Sequence, residues 1–287
     1  VSGTPGRPVG LSMLGIVENA ELGTEPYRVD ADGQPYLPVG DGGVVLGLDL
    51  GDPVFSRTAD HAAPGACIVH PDPVARHGLT TYCCVGNTAV VRTGDAAGAE
   101  GVVIGKRGER GRVIVALGQD DLARLRPGDE VAVHAVGQGW RPAHLSPDVS
   151  VMNADPGLLS RLPVSVAEDG SGISAHVRAC VPGRLAGNGI GRPAVSWDLD
   201  LQLRPADLGE AALLLGDLIA VTDIDARYTM GYRRGWVTVG VVSHGASRLP
   251  GHGPGMTPLL TGPADVLRAH ADAVGHGGLG WAAGQPH

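Results

Sequence analysis

The chain has 287 residues, and its 22 Lys and Arg against 30 Asp and Glu leave a formal net charge of −8. Its 46 glycines and 22 prolines break the backbone too often for a helical bundle or coiled coil, while 43% hydrophobic and 18% charged content excludes general disorder. The acidic balance argues against a nucleic-acid partner or an anionic membrane surface, since both need clustered Lys and Arg.

Short apolar runs closed by Gly, Pro and Asp predict strands at residues 43–50, 88–92, 101–104 and 112–117. Residues 119–125 predict one or two helical turns with Asp120 near the start, and Pro127-Gly128-Asp129 turns the chain into a strand at 130–136. Asp155-Pro156 reads as a cap with a first-turn proline, predicting a helix over 155–162 that stops before Pro163. A polar stretch at 168–172, inside 164–174, marks the expected boundary between two β-rich halves. Beyond it come predicted helices at 206–215 and 263–273, with strands at 218–221 and 235–242. The expected class is α+β, predominantly antiparallel β of barrel or sandwich type with a few short helices. The expected division is an N-terminal β-rich domain over 1–165, a C-terminal α+β domain over 175–275 and a flexible tail over 276–287.

No apolar run approaches the roughly 18 residues that span a bilayer, and the first residues do not read as a leader, so no membrane role is expected. Cys67, Cys83, Cys84 and Cys180 lack the spacing of a disulfide framework, which points to a reducing cytoplasm. Short Gly-rich strands predict a homo-oligomer that covers their edges.

Several residues stand out chemically. Lys106 is the only lysine in the sequence; its compact ammonium can do what Arg cannot, because burial readily lowers its pKa. Asp60-His61 converge if they sit on a turn and diverge if they sit on a strand. Cys83-Cys84 lead into the turn Gly86-Asn87, so Cys84 with Asn87 reads as a nucleophile or an oxyanion donor, or as a buried pair before a turn. Gly187-Asn188-Gly189 lacks the context of a phosphate loop. Asp198, Asp200 and Gln202 alternate at period two, which places two carboxylates on one strand face and invites a cation or shared proton between them. Asp223-Ile224-Asp225 repeats that spacing. His244 closes a strand, and His252 stands in Gly251-His252-Gly253-Pro254-Gly255, a loop whose backbone holds an imidazole in place. Histidines with carboxylates nearby serve as general acids and bases or as metal ligands, although this spacing matches no zinc motif.

Taken in order, Asp60-His61 with Pro64-Gly65, the run 82–87, Gly94-Asp95, Gly105-Lys106 and Gly137-Gln138-Gly139 are followed by Gly189-Ile190-Gly191, Asp198-Leu199-Asp200-Leu201-Gln202 and Gly216-Asp217. Asp223-Ile224-Asp225, His244 and residues 251–255 complete the array. It resembles a bacterial and archaeal family catalogued as domain of unknown function 4438, over about residues 10–262, with the His-Gly-Pro-Gly motif its most specific piece. The resemblance implies separate N- and C-terminal domains and implies no activity. This chain departs from it at Gly105-Lys106-Arg107-Gly108-Glu109, where the family usually has Gly-Lys-His-Gly-Gly, and at Leu199, where it tends to have Tyr.

The residues point to a hydrolase or lyase acting on a small polar metabolite at the junction of the two halves. In this reading His244 and His252 are general base and acid, and Asp198, Asp200, Asp223 and Asp225 orient them or hold a divalent cation. Lys106 binds an anionic group or stabilises developing negative charge, and His61, Asn87, Asn188 and Gln202 join the binding surface. The cofactor is none or a divalent metal ion, since nothing resembles a flavin, nicotinamide or pyridoxal phosphate site. The rival readings are a non-catalytic metabolite-binding module and a structural homo-oligomer.

Overall fold

The structure, a computed structural model, describes residues 8–55, 59–167, 172–208 and 212–271. The predicted tail at 276–287 and most of the polar stretch 168–172 lie outside the described residues. The first strands are β1 (Gly10–Val17), β2 (Arg28–Val29), β3 (Pro35–Tyr36), β4 (Val44–Val45), β5 (Gly65–Val69), β6 (Thr88–Val91), β7 (Glu100–Arg107), β8 (Arg112–Ala116) and β9 (Glu130–Val136). They are interrupted by helices α1 (Pro73–Tyr82) and α2 (Gln119–Arg124). There follow β10 (Ser150–Val151), helix α3 (Pro156–Leu159), β11 (Val164–Val166), β12 (Ile173–Val177), β13 (Ala179–Pro182) and β14 (Leu199–Asp200). The last strands are β15 (Leu218–Asp225), β16 (Gly231–His244), β17 (Gly255–Pro263) and β18 (Leu267–Ala271).

The chain is β-rich, as its turn punctuation predicts. Strands β1, β9, β6, β7, β8 and β5 pair antiparallel in that order, and a further β1–β5 pairing closes them into a barrel with β4 added beside β5. Closure leaves no open edge among those strands. Alternation does the rest: in β9 the side chains of Val131, Val133 and Ala135 turn inward, against Ile68, Leu79 and Val103. A second sheet runs β10-β17-β16-β15-β13, with β14 paired to β17, and a third runs β11-β12-β18. Val164–Val166, before the polar stretch, therefore pairs with Ile173–Val177 after it.

The barrel lies against the second sheet where β7 meets β16 and β17. A Cβ on Gly105 would come within 2.2 Å of Ser243 Cβ and 2.9 Å of Thr257 Oγ1, so only glycine permits this approach. The Lys106 amide then donates to Thr257 Oγ1 at 3.1 Å.

Three predicted elements need correction, and one helix was missed. Among the described residues of the predicted helix 206–215 only a 3-10 turn at Pro205–Leu208 forms, and Leu214 instead bridges Pro53 and donates its amide to Asp217 Oδ2 in the next turn. Within the predicted helix at 263–273, Leu267–Ala271 form the strand β18, paired parallel to β12; tertiary pairing overrides helix propensity there. The predicted strand at 43–50 shrinks to Val44–Val45. Helix α1 carries the same Asp-Pro signal as α3, with Asp72 accepting from the Ala75 amide at 2.8 Å and Pro73 in the first turn.

Candidate metal centre

Four segments converge beside the β7–β16 contact. The loop before β5 supplies Asp60 and His61; His61 takes a left-handed backbone with φ of 53°, so the adjacent pair turns together instead of diverging. Strand β14 supplies Asp200, with Asp198 just before it, and β16 ends on His244. The loop before β17 supplies His252. Its glycines are needed for space: a Cβ on Gly253 would sit 1.7 Å from the Leu201 carbonyl oxygen, and one on Gly255 would sit 1.8 Å from His244 Nε2.

The imidazoles and carboxylates interlock. His61 Nε2 lies 3.1 Å from His252 Nδ1, which lies 2.9 Å from Asp200 Oδ2. His244 Nε2 lies 3.0 Å from Asp198 Oδ2 and 3.5 Å from Asp200 Oδ1. Within each of the trios His61–Asp200–His252 and Asp198–Asp200–His244, the potential ligand atoms lie within 4.8 Å of one another, and Asp200 belongs to both. His244, His61, Asp198 and Asp200 are buried, whereas the His252 side chain keeps 13% of its surface.

Outer partners decide which nitrogens carry protons. Asp60 Oδ2, 3.1 Å from His61 Nδ1, can only accept, so Nδ1 is the donor and Nε2 of the neutral ring offers a lone pair inward. The Gly245 carbonyl, 3.0 Å from His244 Nδ1, imposes the same tautomer on His244. His244 Nε2 thus faces two carboxylates, an arrangement that demands either a second proton on that ring or a cation among the three. Asp200 Oδ1 is buried and has no hydrogen-bond partner, although it points into this group. Ligand atoms about 2.1 Å from a cation stand roughly 3.0–3.4 Å apart in octahedral and tetrahedral sets, close to the spacings found here.

Charges around the centre tune it. Burial would raise the Asp60 carboxyl, but its His61 hydrogen bond and the Arg248 amide and Ser247 hydroxyl hold it down at about 2. Burial would also raise Asp198, yet the His244 contact and the Arg107 charge keep it below the usual carboxylate range. Burial lowers the pKa of His61, with Arg107 and His244 adding to it, so the ring stays neutral. His252 moves the other way: burial disfavours its charge, but the Asp200 hydrogen bond and the Asp200 and Glu109 charges outweigh that and raise it. Asp41 is taken up by Arg107, Arg112 at 2.9 Å and Arg28 at 2.8 Å, so it serves as a counter-charge and not as a ligand.

Of the residues singled out in the sequence, Asp60, His61, His244, His252, Asp198, Asp200 and Asn188 meet here. Asn188 Nδ2 donates to Glu109 Oε1 at 2.8 Å and to Asp200 Oδ2 at 3.4 Å. The others do not. Lys106 points to the opposite side of β7 from Arg107, where Nζ donates to Val195 O, Asn153 Oδ1 and Thr81 O at 2.6, 2.7 and 3.3 Å. Cys84 is buried near Gln138, and burial pushes its thiol up to about 11, which removes the thiolate a nucleophile needs. Asn87 is consumed by the Cys84 and Val136 amides, the Val136 carbonyl and Asp155, so it has no donor left for an oxyanion. Asp223 sits exposed at a bulge in β15 and accepts from the Gly235 amide, and Asp225 pairs with Arg227 and Arg233. Gln202 is exposed beyond the end of β14. Arg107 and Glu109, which sequence reasoning passed over as departures from the family pattern, belong to the centre's edge: Glu109 Oε1 lies 3.7 Å from His252 Nε2, and Glu109 Oε2 lies 3.6 Å from Arg107.

Family models for the N-terminal and C-terminal parts of DUF4438, described as a domain of unknown function, match residues 27–160 and 161–275. The chain belongs to the DUF4438 family. It is similar to a solved structure titled "Crystal structure of TM1086", at 34% identity over 95% of both chains with a TM-score of 0.89. No curated protein matches it. Among the described residues no helix is long and apolar enough to cross a membrane. The centre of this DUF4438 chain draws Asp60, His61 and Arg107 from the N-terminal match and Asp198, Asp200, His244 and His252 from the C-terminal one.

Proposed function

We propose that this DUF4438 protein is a metal-assisted hydrolase or lyase whose substrate is a small polar metabolite. The observation that carries this reading is the buried, unpartnered Asp200 Oδ1 among imidazole lone pairs, a set of acceptors that only a cation or extra protons can hold together. His61 Nε2, His252 Nδ1 and Asp200 Oδ2 are the proposed ligands, with His244 and Asp198 beside them. Mixed imidazole and carboxylate donors suit zinc, manganese or ferrous iron better than calcium or magnesium. Such a cation acidifies water and polarises a carbonyl or phosphoryl oxygen. Asp60 holds the His61 ring in its ligating tautomer. Glu109, more than a third exposed and next to His252, is placed to take or return a proton at the open side.

The test is metal analysis of the purified chain with a matched Asp200→Asn variant. About one tightly held transition metal per chain in wild type, lost in the variant while its thermal unfolding stays cooperative, is the expected result. A chain that binds no divalent metal at micromolar concentration overturns the metal reading and leaves a buried His–Asp network in its place.

A further inference from the structure

A cavity of about 330 Å³ opens beside this centre, and Glu109 is part of its wall. The same carboxylate lies 3.7 Å from His252 Nε2 and accepts from Asn188, so the cavity and the centre share a side chain. The lining also carries two cationic side chains. Arg76, from α1, donates to the carbonyl oxygens of His70 and Pro71 at 2.7 and 3.4 Å, and among the described residues no carboxylate neutralises it. Arg110 adds a second guanidinium, held among the described residues by a 3.6 Å contact to Glu21 and with 54% of its side chain exposed. Ser196 lines the cavity too, with only 6% of the residue accessible.

Two guanidinium groups short of counter-charge and a hydroxyl in the lining of one cavity form a donor-rich surface. Guanidinium forks match carboxylate and phosphate oxygens in geometry as well as charge. We propose that the cavity is the recognition subsite of the same centre and takes a small organic substrate by an oxyanion group, carboxylate or phosphate. The anion lies against Arg76, Arg110 and Ser196, and the rest of the molecule is directed past Glu109 toward His252 and Asp200. This rests on the enzymatic reading above only in calling the ligand a substrate; the anion subsite itself needs no metal.

The experiment is calorimetric titration of the full chain, freed of metal by chelation, with inorganic phosphate and separately with acetate. Saturable binding is expected, weakened about tenfold by Arg76→Ala and by Arg110→Ala, and partly rescued by Arg76→Lys. The tighter of the two probes identifies the anion. Asp200→Asn should leave this binding intact while it abolishes metal uptake, so failure of the metal reading and failure of the anion subsite are seen separately. Arg110 is exposed, so its replacement tests the subsite even if Arg76→Ala fails to fold. The proposal is overturned if neither anion binds saturably, or if both arginine variants bind as wild type does.

Discussion

The ammonium of Lys106 lies 2.6 Å from the carbonyl oxygen of Val195, three residues before Asp198. That bond, with the Asn153 side chain donating to Ala194 O at 2.7 Å, fixes the segment that carries Ser196 to the cavity and Asp198 to the histidines. Lys106 is thus a positioning residue, acting through the backbone of 194–198 without touching the centre. Arginine is too large and too planar to end at the same three acceptors.

Its protonation has a pH signature. Burial pulls the Lys106 ammonium down to about 8, below its ordinary value, so the unfolded chain binds the extra proton more readily than the folded one. The folded state is therefore penalised at and below pH 8, and the penalty fades as pH rises toward the unfolded pKa of about 10.4, a change on the order of 3 kcal/mol. Chemical denaturation of wild type and Lys106→Met between pH 7 and 10 should show wild type gaining relative stability with pH. A constant difference would contradict it.

Protons and the proposed cation would compete at His252. Because Asp200 and Glu109 raise its pKa despite burial, competition begins at a higher pH than for a free histidine. Metal affinity should fall as pH drops from 8 toward 6. In His252→Ala, affinity should be lower throughout and its pH dependence shallower over that range, as read by competition with a chromogenic chelator.

Gly105→Ala should loosen the junction of barrel and second sheet. The new methyl would meet Ser243 Cβ at 2.2 Å, and relief by backbone shift costs about 1–3 kcal/mol. The melting temperature should drop by several degrees, and metal affinity should fall with it because β7 carries Arg107 and β16 carries His244. Gly98→Ala is a poor control since φ there is 91°, whereas Gly118→Ala has room and should be milder.

Cys84 should be chemically quiet. With the thiol pushed up to about 11 by burial, iodoacetamide at pH 7.5 should label the exposed Cys180 well before Cys84, as mass spectrometry of timed digests will show. Cys84→Ser should leave metal content unchanged.

Much of the fold was legible in the chain itself. Gly-Asp turns and period-two apolar runs locate β6, β8, β9, β15 and β16, because turn chemistry and alternation are local properties. The two capped helices α1 and α3 follow one rule, Asp before Pro, whichever place in the sequence it occupies. The residues 263–273 and 206–215 escaped that logic, since β18 exists only because β12 lies beside it and Leu214 is extended only because Pro53 pairs with it.

The centre divides the same way. Local sequence was enough to mark His61, His244, His252, Asp198 and Asp200, because spacing two on a strand and glycines around a histidine carry their meaning within a few residues. Lys106, Cys84, Asn87, Asp223 and Asp225 bear equally reactive groups, and nothing local separates them from the others. Only packing sends the Lys106 and Arg107 side chains to opposite sides of one strand, buries Cys84 so deeply that the Lys106 charge does not offset its desolvation, and turns Asp225 out to its arginines. Residue chemistry is written in the chain; the direction in which each side chain leaves the backbone, and what it meets there, is set by contacts between segments far apart in sequence.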